Sequence, residues 1–120
     1  MGHGIAKNII EKGGYPLVTI AHRNRKPVED LVQRGAKEVA SAAQVAAQSD
    51  VVFLCLPGTE IVRETIFGEN GLAGELREGM IIVDTTTTFP DASQEMAGLL
   101  EKRGVAFLDA PLGRSPKEAE

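Results

Sequence analysis

The run Val51-Val52-Phe53-Leu54-Cys55-Leu56 restricts the fold more than any other feature of the chain. It is apolar at every position, whereas a half-solvated antiparallel strand would alternate apolar with polar residues. A strand built from it is expected to be covered by helices on each side. Similar short runs stand at Leu17–His22, Met80–Asp84 and Val105–Asp109, with a weaker one at Lys37–Ala40. Helix-period segments separate them. Gly2–Lys12 carries the stripe Ile5, Ala6, Ile9 and Ile10 and stops at Gly13-Gly14. Pro27–Arg34 begins on a proline suited to a first helical turn. Ser41–Gln48 opens on a serine suited to capping, and Glu60–Phe67 precedes Gly68. Asp91–Arg103 places Ala92, Met96, Leu99 and Leu100 on one face, with Lys102 and Arg103 in the expected last turn. This alternation predicts an α/β fold, a parallel sheet with helices on both faces.

The 120 residues suit one domain. A chain of this size buries roughly two-thirds of its surface, enough for a core without staples. The single cysteine forms no internal disulfide, which excludes a secreted disulfide scaffold. The apolar runs are too short to span a bilayer. Lys7, Glu11 and Lys12 interrupt any hydrophobic leader, so a cytoplasmic location is expected. A net charge of −4 argues against general nucleic-acid binding, and the absence of Trp argues against an aromatic ligand cage.

A doubly wound domain opens with a strand, a glycine turn and a helix, whereas this chain opens directly on the helix. The segment Met1-Gly2-His3-Gly4-Ile5-Ala6-Lys7-Asn8-Ile9 resembles the second half of the signature of the β-hydroxyacid dehydrogenases, the family of 3-hydroxyisobutyrate dehydrogenase. That signature is a strand followed by Gly-Leu-Gly-x-Met-Gly-x-x-Met-Ala-x-Asn-Leu. Met1 falls on its methionine and Gly2 on its third glycine; the first strand and first two glycines have no counterpart. Leu56-Pro57 resembles the family's Leu-Pro, and Val83-Asp84-Thr85-Thr86-Thr87-Thr88-Phe89-Pro90 its Val-Asp-x-Ser-Thr-x-x-Pro. Gly104–Pro111 resembles its Gly-x-x-Phe-Leu-Asp-Ala-Pro. Four matches in register imply a Rossmann-like fold with its first strand missing, a single incomplete dinucleotide-binding domain over residues 1–120.

Each candidate site residue has a chemical reason and a plainer alternative. A helix N-terminus offers unpaired N–H groups to a pyrophosphate, and the third glycine, here Gly2, permits close helix–strand packing. The alternative for Gly2 is a frayed terminus. An acidic residue after the second strand of such a fold would accept bonds from a ribose 2′-hydroxyl. This chain instead has His22-Arg23-Asn24-Arg25-Lys26, with no carboxylate before Glu29. Arginine pairs well with phosphate, which favours NADP, with NAD the other possibility, at a site centred on Arg23 beside Asn24. A solvated basic turn is the alternative. By the resemblance, Leu56 and Pro57 line the cofactor with backbone atoms, and Thr87 matches a cofactor-contacting threonine. Ile61 stands where the family often carries Asn. Otherwise Pro57 only ends a strand and the threonines form an ordinary strand edge. Asp84 caps or braces the loop.

Asp109-Ala110-Pro111-Leu112-Gly113-Arg114-Ser115 departs from the common substrate loop Asp-Ala-Pro-Val-Ser-Gly-Gly. Gly113, Arg114 and Ser115 are similar to the Gly-Arg-Thr of members that reduce sulfolactaldehyde. Arg114 would meet a carboxylate or sulfonate of a small anionic substrate, unless it is only an exposed arginine. Cys55 reads as a core hydrophobe, and His3, His22 and Cys55 make no metal constellation.

The resemblance implies hydride transfer between nicotinamide and a small 3-hydroxy acid, with a lysine as acid/base. No residue here matches that lysine, and Lys117 follows the loop too closely, so no catalytic residue is assigned. Three readings remain. The first is the cofactor-binding portion of such a dehydrogenase, binding NADP weakly or not at all because the phosphate-touching glycines lack counterparts. The second is a non-catalytic module that self-associates through its exposed sheet, a homo-oligomer. The third, a receiver-type signalling domain, needs an acidic pocket near its first strand, and none is visible.

Overall fold

The computed structural model describes residues 2–20, 25–87 and 89–110, and the chain divides into two compact units. The first is residues 1–41 with 113–120, and the second is residues 42–112.

In the first unit, α1 (Gly2–Glu11) precedes β1 (Val18–Ile20), α2 (Lys26–Gln33) and β2 (Lys37–Val39). β1 and β2 pair in parallel, Thr19 opposite Glu38, with α2 as the crossover. Pro27 sits in the first turn of α2, and Val28 and Leu31 form its buried stripe. The helix closes as the Ala36 N–H donates to the Leu31 carbonyl at 2.9 Å. Gly35, at φ 110°, makes that reversal without a side-chain clash. Polar side-chain contacts join the helices: His3 Nε2 hydrogen-bonds with Asp30 Oδ2 at 2.7 Å, Arg34 Nε donates to the same oxygen at 2.9 Å, and Arg34 also pairs with Glu11.

The second unit contains α3 (Ala42–Ala47), β3 (Val51–Leu54), α4 (Thr59–Phe67), a 3-10 turn (Leu72–Glu75), β4 (Ile81–Asp84), α5 (Pro90–Glu101) and β5 (Ala106–Asp109). Its sheet runs β3-β4-β5, all parallel, with Val52, Ile82 and Phe107 in one row. Val52, Leu54 and Ile82 meet Val62 and Ile66 of α4, Met96 and Leu100 of α5, Leu72 and Ala46 in one core. The 3-10 turn was not foreseen. Gly71 positions it, because a Cβ there would lie within 3 Å of the carbonyl oxygens of Thr65, Ile66 and Gly68.

The parallel sheets flanked by helices are as expected, and three details differ. First, within its own unit β3 packs on one face, with Val51 and Phe53 43% and 47% exposed on the other. The reason is that α3, α4, α5 and the 3-10 turn all deliver their apolar residues to the Val52 face. Second, β3 stops at Leu54, leaving Cys55 half-buried beyond it rather than in the strand. The ladder ends where the Thr85 N–H reaches the Leu54 carbonyl. Third, α5 ends at Glu101, which leaves Lys102 and Arg103 outside its last turn. The chain turns back there through Gly104 at φ 74°, and the Arg103 guanidinium donates to the Ala73 carbonyl at 2.8 Å.

Two adjacent leucines of α5 test this one-sided core. Leu100→Ala should cost about 2–5 kcal/mol of unfolding free energy in urea. Leu99→Ala, at a side chain 41% exposed, should stay within about 0.5 kcal/mol of the parent.

Candidate functional site

Ligands of open parallel sheets bind beyond the carboxyl ends of the strands, where short loops leave toward helices. In the second unit the exits of β3 and β4 are held together by hydrogen bonds. The Thr85 N–H and hydroxyl both donate to the Leu54 carbonyl, at 2.8 and 2.6 Å. Asp84 is fully buried, and its Oδ1 accepts the Thr86 N–H at 2.9 Å. Thr86 Oγ1 in turn accepts the Leu56 N–H at 3.0 Å. The third exit joins them as the Ala110 N–H donates to the Asp84 carbonyl at 2.8 Å. The next loop is pinned to the start of α4 by the Phe89 N–H, 3.3 Å from Thr59 Oγ1.

This bracing decides what each residue presents. Thr85 and Thr86 are buried and occupied with the backbone, whereas Thr87 is exposed. Of the threonines described here, Thr87 is therefore the one whose side chain is open to a ligand. Leu56 is half-buried, and Pro57 is exposed and lacks an N–H. Together they form a ledge, which the Leu56 N–H bond to Thr86 ties to the residue before Thr87. Asp84 braces the loop, one of the two roles its place in the sequence suggested. The bracing by Thr85 and Thr86 was missed. Four consecutive threonines look alike in sequence, and it is the hydrogen bonds to Leu54, Asp84 and Leu56 that sort them.

A hollow of about 210 Å³ lies beside β5, lined by Pro90, Ser93, Gln94, Ala97, Phe107 and Asp109. It holds no cation among those residues, so it does not suit an anionic substrate. Among the described residues, no three His, Cys, Asp or Glu side chains gather where a metal ion could be held. No helix among them is long and apolar enough to cross a membrane.

In the first unit Gly2 opens α1, with Gly4 buried two residues on. His3 is committed to Asp30. The turn after β1 is described from Arg25 onward; Arg23 and Asn24, like Gly113, Arg114 and Ser115, lie outside the described residues. Arg25 Nη2 lies 2.9 and 3.0 Å from the two carboxylate oxygens of Glu38, and its Nε lies 3.9 Å from Glu29. The hydrogen bond to Glu38 holds the Arg25 guanidinium above its ordinary pKa, with the charge of Glu38 adding to the effect. Glu38 was not singled out in the sequence because a glutamate on a short, exposed strand carries no pattern of its own.

Comparison with known proteins places these features in context. The family described as the NAD binding domain of 6-phosphogluconate dehydrogenase matches residues 1–120. The chain is 29% identical over 119 residues to 3-sulfolactaldehyde reductase of Escherichia coli (strain K12). It is 34% identical over 112 residues to the mitochondrial 3-hydroxyisobutyrate dehydrogenase of Homo sapiens. These matches take in 99% and 93% of this chain but 39% and 33% of those proteins. The crystal structure of 3-hydroxyisobutyrate dehydrogenase from Salmonella typhimurium superposes on 95% of this chain and 39% of its own, with a TM-score of 0.85 and 25% identity.

The bracing at the strand exits is directly measurable. Thr86→Val keeps the volume but removes the acceptor for the Leu56 N–H, and should cost about 1–3 kcal/mol in chemical denaturation. The Leu56 amide should exchange faster with solvent in the same variant. Thr87→Val, at an exposed position, should change stability by no more than about 0.5 kcal/mol.

Proposed function

Since the chain belongs to the family of the NAD binding domain of 6-phosphogluconate dehydrogenase, we propose that it is the cofactor-binding portion of an NAD(P)-dependent oxidoreductase acting on a small 3-hydroxy acid or its semialdehyde. The chain spans 33–39% of the length of the two curated relatives above, and the reaction is proposed for the whole protein. The observation that carries the reading is the ledge of Leu56 and Pro57, braced through Thr86, with the exposed Thr87 next in the chain. A nicotinamide bound there would supply or accept the hydride. This chain's own residues would orient it: Thr87 through its hydroxyl, Leu56 and Pro57 through backbone atoms and a fixed surface. The family match runs through both compact units, which supports one dinucleotide-binding domain over residues 1–120.

NADP is proposed over NAD on the strength of the basic turn, where Arg23, Asn24 and Arg25 precede any carboxylate. Gly2 is assigned to packing at the start of α1, where helix N–H groups face an anionic ligand. A small anionic substrate is proposed because Gly113, Arg114 and Ser115 bring a guanidinium into the segment after β5. The names of the two relatives, a sulfolactaldehyde reductase and a 3-hydroxyisobutyrate dehydrogenase, support the same class. No residue of this chain is assigned as the acid/base. A cytoplasmic setting is proposed with this reading; the single cysteine is compatible with that setting and excludes only a disulfide scaffold.

One observation favours self-association as a second reading. Val51, Phe53 and Leu108 share one face of the β3-β4-β5 sheet and are 43%, 47% and 53% exposed. A homodimer would cover that face.

Two measurements separate these readings. Titration of NADP+ into the chain, followed by amide NMR, should shift Leu56, Gly58 and Thr87 saturably, with an affinity weaker than micromolar. Thr87→Val should weaken that binding about two- to tenfold. Unchanged spectra with both NADP+ and NAD+ would overturn the cofactor reading. Light scattering should give a dimer that Phe53→Lys returns to monomer if the sheet face associates; a monodisperse monomer would count against it.

A further inference from the structure

We infer that Glu38 sets how strongly this domain distinguishes NADP from NAD, by occupying the guanidinium of Arg25 that a ribose 2′-phosphate would otherwise engage. The inference rests on the dinucleotide reading above and concerns one contact within the first unit.

The placement follows from the parallel pairing of β1 and β2. Glu38 stands opposite Thr19, one residue before the carboxyl end of β2, and Arg25 immediately precedes α2 in the turn that leaves β1. Arg25 lies beyond the carboxyl end of β1, where ligands of parallel sheets bind, and Glu38, the middle residue of β2, reaches it from the neighbouring strand. One nitrogen of Arg25 reaches both oxygens of Glu38, and Glu29 flanks the guanidinium from the first turn of α2. Nη2 belongs to both edges through which a guanidinium grips an anion bidentately, and here it is spent on Glu38. A 2′-phosphate can therefore take a single bond from Nη1, but must displace Glu38 to be gripped bidentately, and it meets the negative charge of Glu38 in either case. A 2′-hydroxyl meets neither obstacle, so the penalty falls on NADP alone.

The magnitude follows from exposure. The side chains of Arg25 and Glu38 are 54% and 33% exposed, so water and salt screen the pair and a phosphate can exchange into it. Glu38 thus moderates discrimination without abolishing it. Removing its charge should release Arg25 for a bond that guanidinium and phosphate make well. If Glu38 instead served to orient Arg25 for the phosphate, removing it would weaken the phosphate ligand; the two roles have opposite signs.

Adenosine 2′,5′-bisphosphate and 5′-AMP differ only in the 2′-phosphate and isolate this contact. Calorimetric or NMR titration of the parent chain, Glu38→Gln and Glu38→Ala should show the bisphosphate binding about two- to fivefold more tightly in both variants, with 5′-AMP unchanged. Combining Arg25→Ala with Glu38→Ala should erase that gain. Equal shifts for both ligands, no shift, or weaker bisphosphate binding would overturn the role given to Glu38. If neither ligand nor either dinucleotide binds the parent chain, the dinucleotide reading itself fails and the inference falls with it. If 5′-AMP binds and only the ratio fails to move, the cofactor reading stands and Glu38 alone is refuted.

Discussion

The hydrogen bond from the Leu56 N–H to Thr86 Oγ1 depends on a buried carboxylate one step away, and the geometry of both strand exits depends on that chain of bonds. Asp84 is fully buried and spends one oxygen on the Thr86 N–H, while its other oxygen has no partner among the described residues. Burying a carboxylate is unfavourable unless hydrogen bonds replace water, so its position at the end of β4 cannot be a matter of packing alone. The return is local rigidity. With Thr86 fixed, Leu56 has a set acceptor; with Leu56 fixed, Pro57 extends from a defined point. Thr87 is left as the residue whose side chain faces outward.

The apolar core supports this arrangement from one side. Val52, Leu54 and Ile82 pack against α4 and α5, and Met96 and Leu100 of α5 are fully buried there. Strand ends in such a sheet move little, because the rows of side chains beneath them interdigitate at the density of a protein interior. The opposite face, with Val51, Phe53 and Leu108, carries no helix of this unit. The even hydrophobicity of β3 therefore marks a strand chemically ready for cover on two sides while its own unit supplies cover on one.

Much of this was legible in the sequence, and the limits have physical causes. Among the described residues, five strands and five helices fall where apolar runs and helix-period stripes place them, shifted at most by two residues at an end. Those patterns record burial, and burial dictates secondary structure over four or more residues. The end of β3 was misplaced because Cys55 and Leu56 are as apolar as the strand before them. Beyond Leu54 the Leu56 N–H goes to a hydroxyl 30 residues away, and no local pattern reports that bond. The end of α5 was misplaced for a similar reason. Lys102 and Arg103 suit a helix terminus electrostatically, yet the reversal at Gly104 and the Arg103 bond to Ala73 take them out of it. At the candidate site, the motif residues Leu56, Pro57 and Thr87 could be named in advance. The division of labour among the threonines could not.

The two candidate binding regions differ in how they are held, and the difference bears on what each can do. The ledge at β3 and β4 is fixed by hydrogen bonds among buried or half-buried groups, which are costly to break and tolerate little substitution. At the start of α2, Arg25 is held by exposed ion pairs to Glu38 and Glu29, which exchange readily with solvent and anions. On the proposed reading, the first region positions the ring that reacts and the second reads the phosphate that distinguishes one cofactor from another. Hydride transfer requires reacting atoms held in a narrow geometry, so rigidity belongs at the first. Choosing between NADP and NAD requires only a difference in binding free energy, which exposed charges adjust without disturbing the fold. On that reading, cofactor preference would change at Glu38 or Arg25 while Asp84, Thr86 and the core beneath them stay as they are.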